Sequence, residues 1–124
     1  MKEEHPYSIN LDVKFRPLEL IDAGALASAV KESWFNQTLT RVNESVVRLG
    51  VFQKGEFHWH SHEKEDEFFF VLSGTFVIEL EGRRETLRPH QGFTVPRGVR
   101  HKTRVTEPTV ILMVEAATVR PTGD

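Results

Sequence analysis

Beyond residue 41 the chain alternates short apolar runs with turn signals, and this pattern constrains its fold more than any other feature. The runs are rich in Val, Ile, Phe and Thr, the residues that favour strands. They read SVVRLGVF, FFFVLSGTFVIEL, RETL, GFTVP, HKTRV and TVILMVEA, and Gly or Pro stands in the turns between them. Short strands repeated at intervals of roughly 8–12 residues are typical of a β-sandwich or barrel. The sequence therefore predicts an all-β fold of about eight strands.

The first forty residues follow a different pattern, which predicts one short helix. Apolar residues recur at helical spacing within RPLELIDAGALASAVKESW, at Leu18, Ile21, Ala25 and Ala29. Pro17 suits the first turn of a helix, and Glu19 and Asp22 suit its positive end. We expect a single domain overall, made of an N-terminal arm and helix over 1–40, a barrel over 41–117 and a tail over 118–124.

The composition excludes several classes of protein. The chain has no cysteine, so disulfides, thiolate metal sites and cysteine nucleophiles are absent. A net charge of −2 gives no basic field for nucleic acid, and no apolar run approaches the ~20 residues that a membrane span needs. The start, MKEEHPYS, has acidic residues where a signal peptide has basic and apolar ones. We therefore expect a cytoplasmic protein that partners neither nucleic acid nor membrane.

The stretch EFHWHSHEKEDEFFF concentrates the residues that can bind a metal. His58, His60 and His62 stand at alternate positions, and residues two apart in a strand share a face. Glu67 opens the next strand, and the later stretch VPRGVRHK offers His101 as a fourth ligand. Neutral imidazoles with one carboxylate suit a divalent transition metal. By parity His58 shares this face, so His58 with His60 is a rival ligand pair.

The spacing of two stretches resembles the two sequence motifs of the cupin superfamily over about residues 46 to 116. Four residues separate Gly55 from His60, four separate His62 from Glu67, and six separate Glu67 from Gly74. In the second stretch the matching positions are Gly92, Pro96, Gly98 and His101. Two departures touch no ligand: the first motif usually has five residues before its first histidine, and Val105 replaces a frequent asparagine. A closer likeness, to small single-domain cupins of the mannose-6-phosphate-isomerase-like group, rests on GEFHWHSHEKEDEFFFVLSG and TVRPTGD.

The resemblance implies a double-stranded β-helix, the jelly-roll or cupin barrel, with one short N-terminal helix. It implies that His60, His62, Glu67 and His101 bind one divalent metal, which could be Mn, Fe, Co, Ni, Zn or Cu. We expect a metal-binding cupin that acts on or binds a small oxygen-bearing metabolite. A non-catalytic binding or sensing module is the first alternative, and a sugar-phosphate isomerase is the second.

Two residue roles remain open at this stage. His58 is the candidate catalytic base, with a supporting contact near the ligands or simple packing as alternatives. For the isomerase alternative, phosphate recognition needs basic side chains at the pocket, and Arg97 and Arg100 at the barrel rim are the only close candidates.

The strand EFFFVL is apolar on both faces. Glu67, Phe69 and Val71 share one face, whereas Phe68, Phe70 and Leu72 share the other. An apolar outer face needs a cover, which the N-terminal helix or a second subunit can supply. We therefore expect a homodimer.

Overall fold

The computed structural model of the protein describes residues 7–123, and His5, expected to be solvated, lies outside them. Ten strands and one helix occur in this range. In chain order they are β1 (Ser8–Asn10), α1 (Ala23–Ala29), β2 (Trp34–Val42), β3 (Ser45–Phe52), β4 (Gly55–Glu56), β5 (Glu67–Ser73), β6 (Phe76–Leu80), β7 (Arg83–Leu87), β8 (Gly92–Val95), β9 (His101–Val105) and β10 (Thr109–Ala116). The prediction of an all-β fold with one short N-terminal helix is confirmed.

The strands form two sheets with the main core between them, the jelly-roll arrangement. One sheet has the order β1-β2-β3-β10-β5-β8 and the other β4-β9-β6-β7. All pairings are antiparallel except that of β1 with β2. Inward residues of both sheets, such as Phe69, Phe76, Ile78 and Ile111, build one buried cluster. Because strand residues alternate between faces, each strand sends every second side chain into this interior.

Strand structure begins earlier in the chain than residue 41, where the apolar alternation becomes obvious. Strand β2 starts at Trp34 and pairs along β3. Its inward positions are Trp34, Asn36 and Thr38, all buried. The two polar residues in this set interrupt the apolar alternation by which the later strands are recognised.

The helix is shorter than the sequence pattern suggested. It begins at Ala23, and the Asp22 carboxylate accepts a hydrogen bond from the Ala25 backbone N–H at 3.0 Å, which caps the helix. Pro17 does not start it, because Leu18 has a φ of 74°, which a right-handed helix cannot contain. The single helix has seven residues, and no helix within residues 7–123 is long and apolar enough to cross a membrane.

The N-terminal segment covers part of the outer face of the six-stranded sheet. Leu39, Leu49 and Val51 form a buried outer cluster, against which Leu26 and Leu112 pack. Phe68 and Phe70 lie farther along the same face, half-buried, with ring centroids 6.3 Å apart. The helix therefore covers only part of the apolar outer face that was expected to need covering.

Candidate metal centre

Three segments bring the four expected ligands together. Glu67 is the first residue of β5 and His101 the first of β9, so both side chains enter the same end of the interior. His60 pairs with His101 through two reciprocal backbone hydrogen bonds of 2.9 Å. The loop after His60 then returns His62 to the interior, where it is 2% exposed.

The ligand atoms converge closely enough to hold one ion. One ligand atom from each of His60, His62, Glu67 and His101 lies within 4.8 Å of the other three. Both His62 Nε2 and His101 Nε2 lie 3.3 Å from Glu67 Oε1. Ligands on opposite sides of a transition metal are about 4 Å apart, since each metal bond is about 2.0–2.2 Å long. The spacing therefore fits a shared metal ion with little movement.

Backbone carbonyls fix the tautomer of two of the histidines. His60 Nδ1 lies 2.9 Å from the carbonyl oxygen of His58, and His101 Nδ1 lies 3.1 Å from that of Val99. A carbonyl oxygen only accepts, so each Nδ1 carries the proton and donates it. The Nε2 lone pair of each neutral ring is thereby left for a metal, the arrangement that second-sphere hydrogen bonds impose in metal sites.

Burial and neighbouring charge tune the acid–base state of the centre. Burial lowers the pKa of His60 to about 4, so the ring stays neutral near neutral pH. Burial alone would raise the pKa of Glu67, but its polar contacts with His101, His62 and Glu115 outweigh burial and lower that pKa below its usual range. The Glu67 carboxylate is therefore negatively charged near neutral pH, beside the neutral His60 ring. The donor set therefore suits a divalent cation.

A buried ion pair lies behind Glu67. Glu115 stands opposite Glu67 in the β5–β10 register, and Arg48 Nε lies 3.1 Å from Glu115 Oε2. The Arg48 and Glu115 side chains are only 4% and 1% exposed. Burial raises the pKa of Glu115 well above its usual value, the Glu67 charge and hydrogen bond raise it further, and Arg48 opposes both. Glu67 thus packs against a second carboxyl group, which a guanidinium partners.

A narrow cavity of about 30 Å³ opens beside the centre, and His60 and Glu67 form part of its lining. Its walls are largely aromatic, built by Trp34, Phe52, Phe57 and Phe76. Trp34 stacks on Phe52 with ring centroids 4.0 Å apart. Asn36 and Thr103 are the polar residues of the lining apart from His60 and Glu67. A small ligand that reached the centre would lie against these rings.

His58 does not share the face of the ligands. Its side chain is exposed, and Nε2 donates to the Thr122 carbonyl at 2.7 Å, while Phe57 takes the buried position. The His58 and His60 ring centroids lie 5.5 Å apart, but His58 is not among the four residues whose ligand atoms converge, and its Nε2 contacts the C-terminal tail. That tail is docked, since Val119 is buried and Pro121 lines the cavity. The expected role of His58 as a base stays a prediction.

The basic residues nearest the site differ from those that the sequence suggested. Arg97 and Arg100 are exposed at the rim, where Arg97 faces Asp66 and Arg100 lies over the Trp59 ring. Arg48 is the basic residue inside the barrel, and sequence reasoning missed it. The sequence did indicate a buried arginine, because Arg48 is the one charged residue in the strand SVVRLGVF and stands at a position whose side chain points inward.

Comparison with known proteins agrees with this architecture. The family described as Cupin domain matches residues 48–115. The protein YdbB of Bacillus subtilis is 39% identical over 92 residues, which are 73% of this chain and 80% of that protein. Protein SchB of Streptomyces halstedii is 38% identical over 70 residues, which are 56% of this chain and 51% of SchB. A cupin-2 domain containing protein from Shewanella frigidimarina superposes with a TM-score of 0.73 and 29% identity, covering 78% of this chain and 94% of that one.

Proposed function

The chain belongs to the cupin domain family, and from that premise we propose that it holds one divalent transition metal ion and binds a small oxygen-bearing metabolite beside it. The observation that carries the proposal is the convergence of His60, His62, Glu67 and His101, whose ligand atoms lie within 4.8 Å of one another. Several divalent metals accept this ligand set, because geometry and supply decide among them. The metal is therefore identified by its chemistry and not by name.

Each part of the interior has a separate task in this proposal. When bound, the metal supplies a positive centre that accepts oxygen ligands and polarises them. Glu67 and the three histidines hold the ion, and the carbonyls of His58 and Val99 keep two of the rings in the binding tautomer. The aromatic wall excludes water from the bound ligand and limits its size.

Enzyme and binding module differ in whether a proton-transfer group reaches the ligand. His58, the expected base, lies outside the cavity against the tail. Among the described residues that line the cavity, the side chains that titrate are the metal-binding His60 and Glu67. This placement supports a metabolite-binding or sensing module as the alternative to a metal-dependent enzyme. A cytoplasmic location and membership of the mannose-6-phosphate-isomerase-like group stay predictions.

A sugar-phosphate isomerase is the weaker alternative. No Lys or Arg is among the described residues that line the cavity, whereas phosphate binding calls for basic side chains. Arg48 lies within the barrel, but its nearest charged partner is Glu115. The cavity therefore favours an uncharged ligand over a phosphorylated one.

Elemental analysis of protein purified without added metal tests the metal proposal. We expect about one metal ion per chain, and removal of one imidazole should weaken binding at least about tenfold. The double variant His60→Ala/His62→Ala should lose the metal, whereas His90→Ala, at an exposed turn, should retain it. Metal content equal in the double variant and the His90 control would refute the assignment.

We also propose that the chain forms a homodimer through the outer face of the six-stranded sheet. Phe68 and Phe70 are half-buried there and Val114 is 38% exposed, beyond the part that the helix covers. A C₂ pairing would bury this apolar strip in both copies. Sedimentation at tens of micromolar should show the dimer, and a Phe70→Lys change should shift it to monomer. Monomer alone in the unaltered protein would contradict the proposal.

A further inference from the structure

The cavity beside the metal centre is too small for the metabolite that the proposed function requires. Its volume of about 30 Å³ holds a water molecule or two, since one water needs roughly 10–15 Å³. Sites that bind small molecules usually span roughly 300–1,000 Å³. Part of the cavity wall must therefore move before a metabolite can reach His60 and Glu67.

Residues 118–123 of the tail form one part of this wall. Pro121 lines the cavity, and Val119 is buried with 4% of its surface exposed. Gly123 packs directly on the metal-binding His60, because a Cβ at Gly123 would lie only 2.6 Å from the His60 Cβ. The tail therefore lies against both the cavity and one residue of the metal centre.

A larger surface pocket lies on the other side of the tail. It has a volume of about 460 Å³, and Val119 and Thr122 are among its lining residues. Ile9 of β1 and Pro121 line both this pocket and the small cavity. These two side chains therefore separate the two spaces. Movement of Pro121 away from Ile9 would join them into one site of ordinary size for a small ligand.

The tail is held by contacts that can break while the barrel stays folded. It belongs to no strand, and its backbone forms a local turn in which the Gly123 N–H donates to the Arg120 carbonyl at 2.8 Å. The hydrogen bond that fastens this turn to the barrel comes from His58, whose Nε2 donates to the Thr122 carbonyl at 2.7 Å. Segments outside the sheets, held by few buried contacts, open at a much lower free energy than the whole domain.

We propose that residues 118–123 are a lid on the metal centre, that a small metabolite reaches the metal only when the lid opens, and that His58 holds the lid closed. The inference rests on the proposed metal and metabolite site. Because only the open protein binds, the apparent dissociation constant is the intrinsic one divided by the open fraction. Weakening the closed lid should therefore tighten ligand binding, whereas damage to the site would weaken it.

Acetohydroxamate titrated into the Co²⁺-loaded protein tests the lid, because this small chelator binds divalent metals through two oxygen atoms and changes the visible absorption of Co²⁺. His58→Ala removes the hydrogen bond to Thr122 but keeps the backbone carbonyl that His60 Nδ1 contacts. We expect this variant to keep its Co²⁺ and to bind acetohydroxamate about three- to tenfold tighter, the effect of one lost hydrogen bond on the closed state. His90→Ala, at an exposed turn, is the matched control and should bind as the unaltered protein does.

A pair of glycines tests the lid at a second point. Gly123 and Gly82 both have a positive φ, 98° and 87°, but a Cβ at Gly82 would meet nothing within 4 Å. Gly123→Ala should displace the lid from His60 and tighten acetohydroxamate binding, whereas Gly82→Ala should leave binding unchanged. In the unaltered protein, acetohydroxamate should also increase the hydrogen exchange of residues 118–123, because the bound state keeps the lid open.

The outcomes distinguish the lid from the proposals on which it rests. Failure of the unaltered protein to take up Co²⁺ overturns the metal site, and uptake without acetohydroxamate binding in any variant overturns the metabolite site together with the lid. Binding that is unchanged or weaker in either folded variant, His58→Ala or Gly123→Ala, overturns the lid alone. Equal tightening in the matched controls, or tail exchange that acetohydroxamate leaves unchanged, also overturns it.

Discussion

Removing Arg48 should destabilise the protein strongly, because Glu115 would lose the cation that partners it. The Arg48 Nε and Glu115 Oε2 atoms lie 3.1 Å apart, with side chains 4% and 1% exposed. Breaking a buried pair by removing one member costs about 3–5 kcal/mol, whereas replacing both members with apolar residues is often nearly neutral. Arg48→Met should therefore cost about 3 kcal/mol, the low end of the range, since the raised pKa of Glu115 lets it take up a proton.

Urea unfolding of the metal-free protein at pH 7 measures this cost. With a dependence of roughly 1–3 kcal/mol per M urea, the Arg48→Met midpoint should fall by roughly 1 M or more. The double variant Arg48→Met/Glu115→Leu should recover most of the loss, which gives a coupling energy of about 2 kcal/mol between the two sites. Costs that simply add in the double variant, with coupling below about 0.5 kcal/mol, would refute the reasoning.

Three further predictions concern the centre and the loops around it. The pKa of His60 falls from 6.5 to about 4 on folding, so between these pH values the unfolded chain binds a proton that the folded chain does not. The free energy of unfolding of the metal-free protein should therefore rise by up to about 3 kcal/mol relative to a His60→Gln variant as the pH increases from 4 to 6.5. Urea unfolding at several pH values measures this change. His58→Ala should leave metal content unchanged and increase the hydrogen exchange of the tail, because the ring holds the Thr122 carbonyl; slower or unchanged exchange would contradict this contact. Gly74→Ala should lower the thermal midpoint more than Gly82→Ala, because both have positive φ but only the first would place a Cβ 2.5 Å from backbone; equal losses would leave the close contact without effect.

The ligand group was predictable because metal chemistry restricts both residue type and spacing. The structure brings His60, His62, Glu67 and His101 together as the motif spacing implied. The later strands were equally accessible, since runs such as HKTRV alternate buried and half-buried positions as a strand with one inner face must. His101, the first residue of that strand, inherits its inward direction from this alternation.

The position of His58 was not predictable from parity, because the segment after β4 is not a continuous strand. Phe57 is buried, His58 is exposed, and His62 is buried again, so the face that points inward changes between Phe57 and His60. A shift of one residue reverses every side chain in a strand. The backbone hydrogen bonds from Phe57 to Thr103 and from His60 to His101 fix the shift, and neither partner is visible in the local sequence.

The strand β2, which lines part of the cavity, was also not predicted from the sequence. Asn36 and Thr38 place polar groups on the inner face of β2, which hides the strand from a search for apolar alternation. Asn36 also lies before residues 48–115, the span that matches the cupin family. The matched span contains His60, His62, Glu67 and His101, the four residues that could hold a metal. A metabolite bound beside the metal would also contact the cavity wall, and β2 supplies Trp34 and Asn36 to that wall from before the matched span. Chains that share the four ligands but differ at the position of Asn36 should therefore bind a similar metal and a different metabolite.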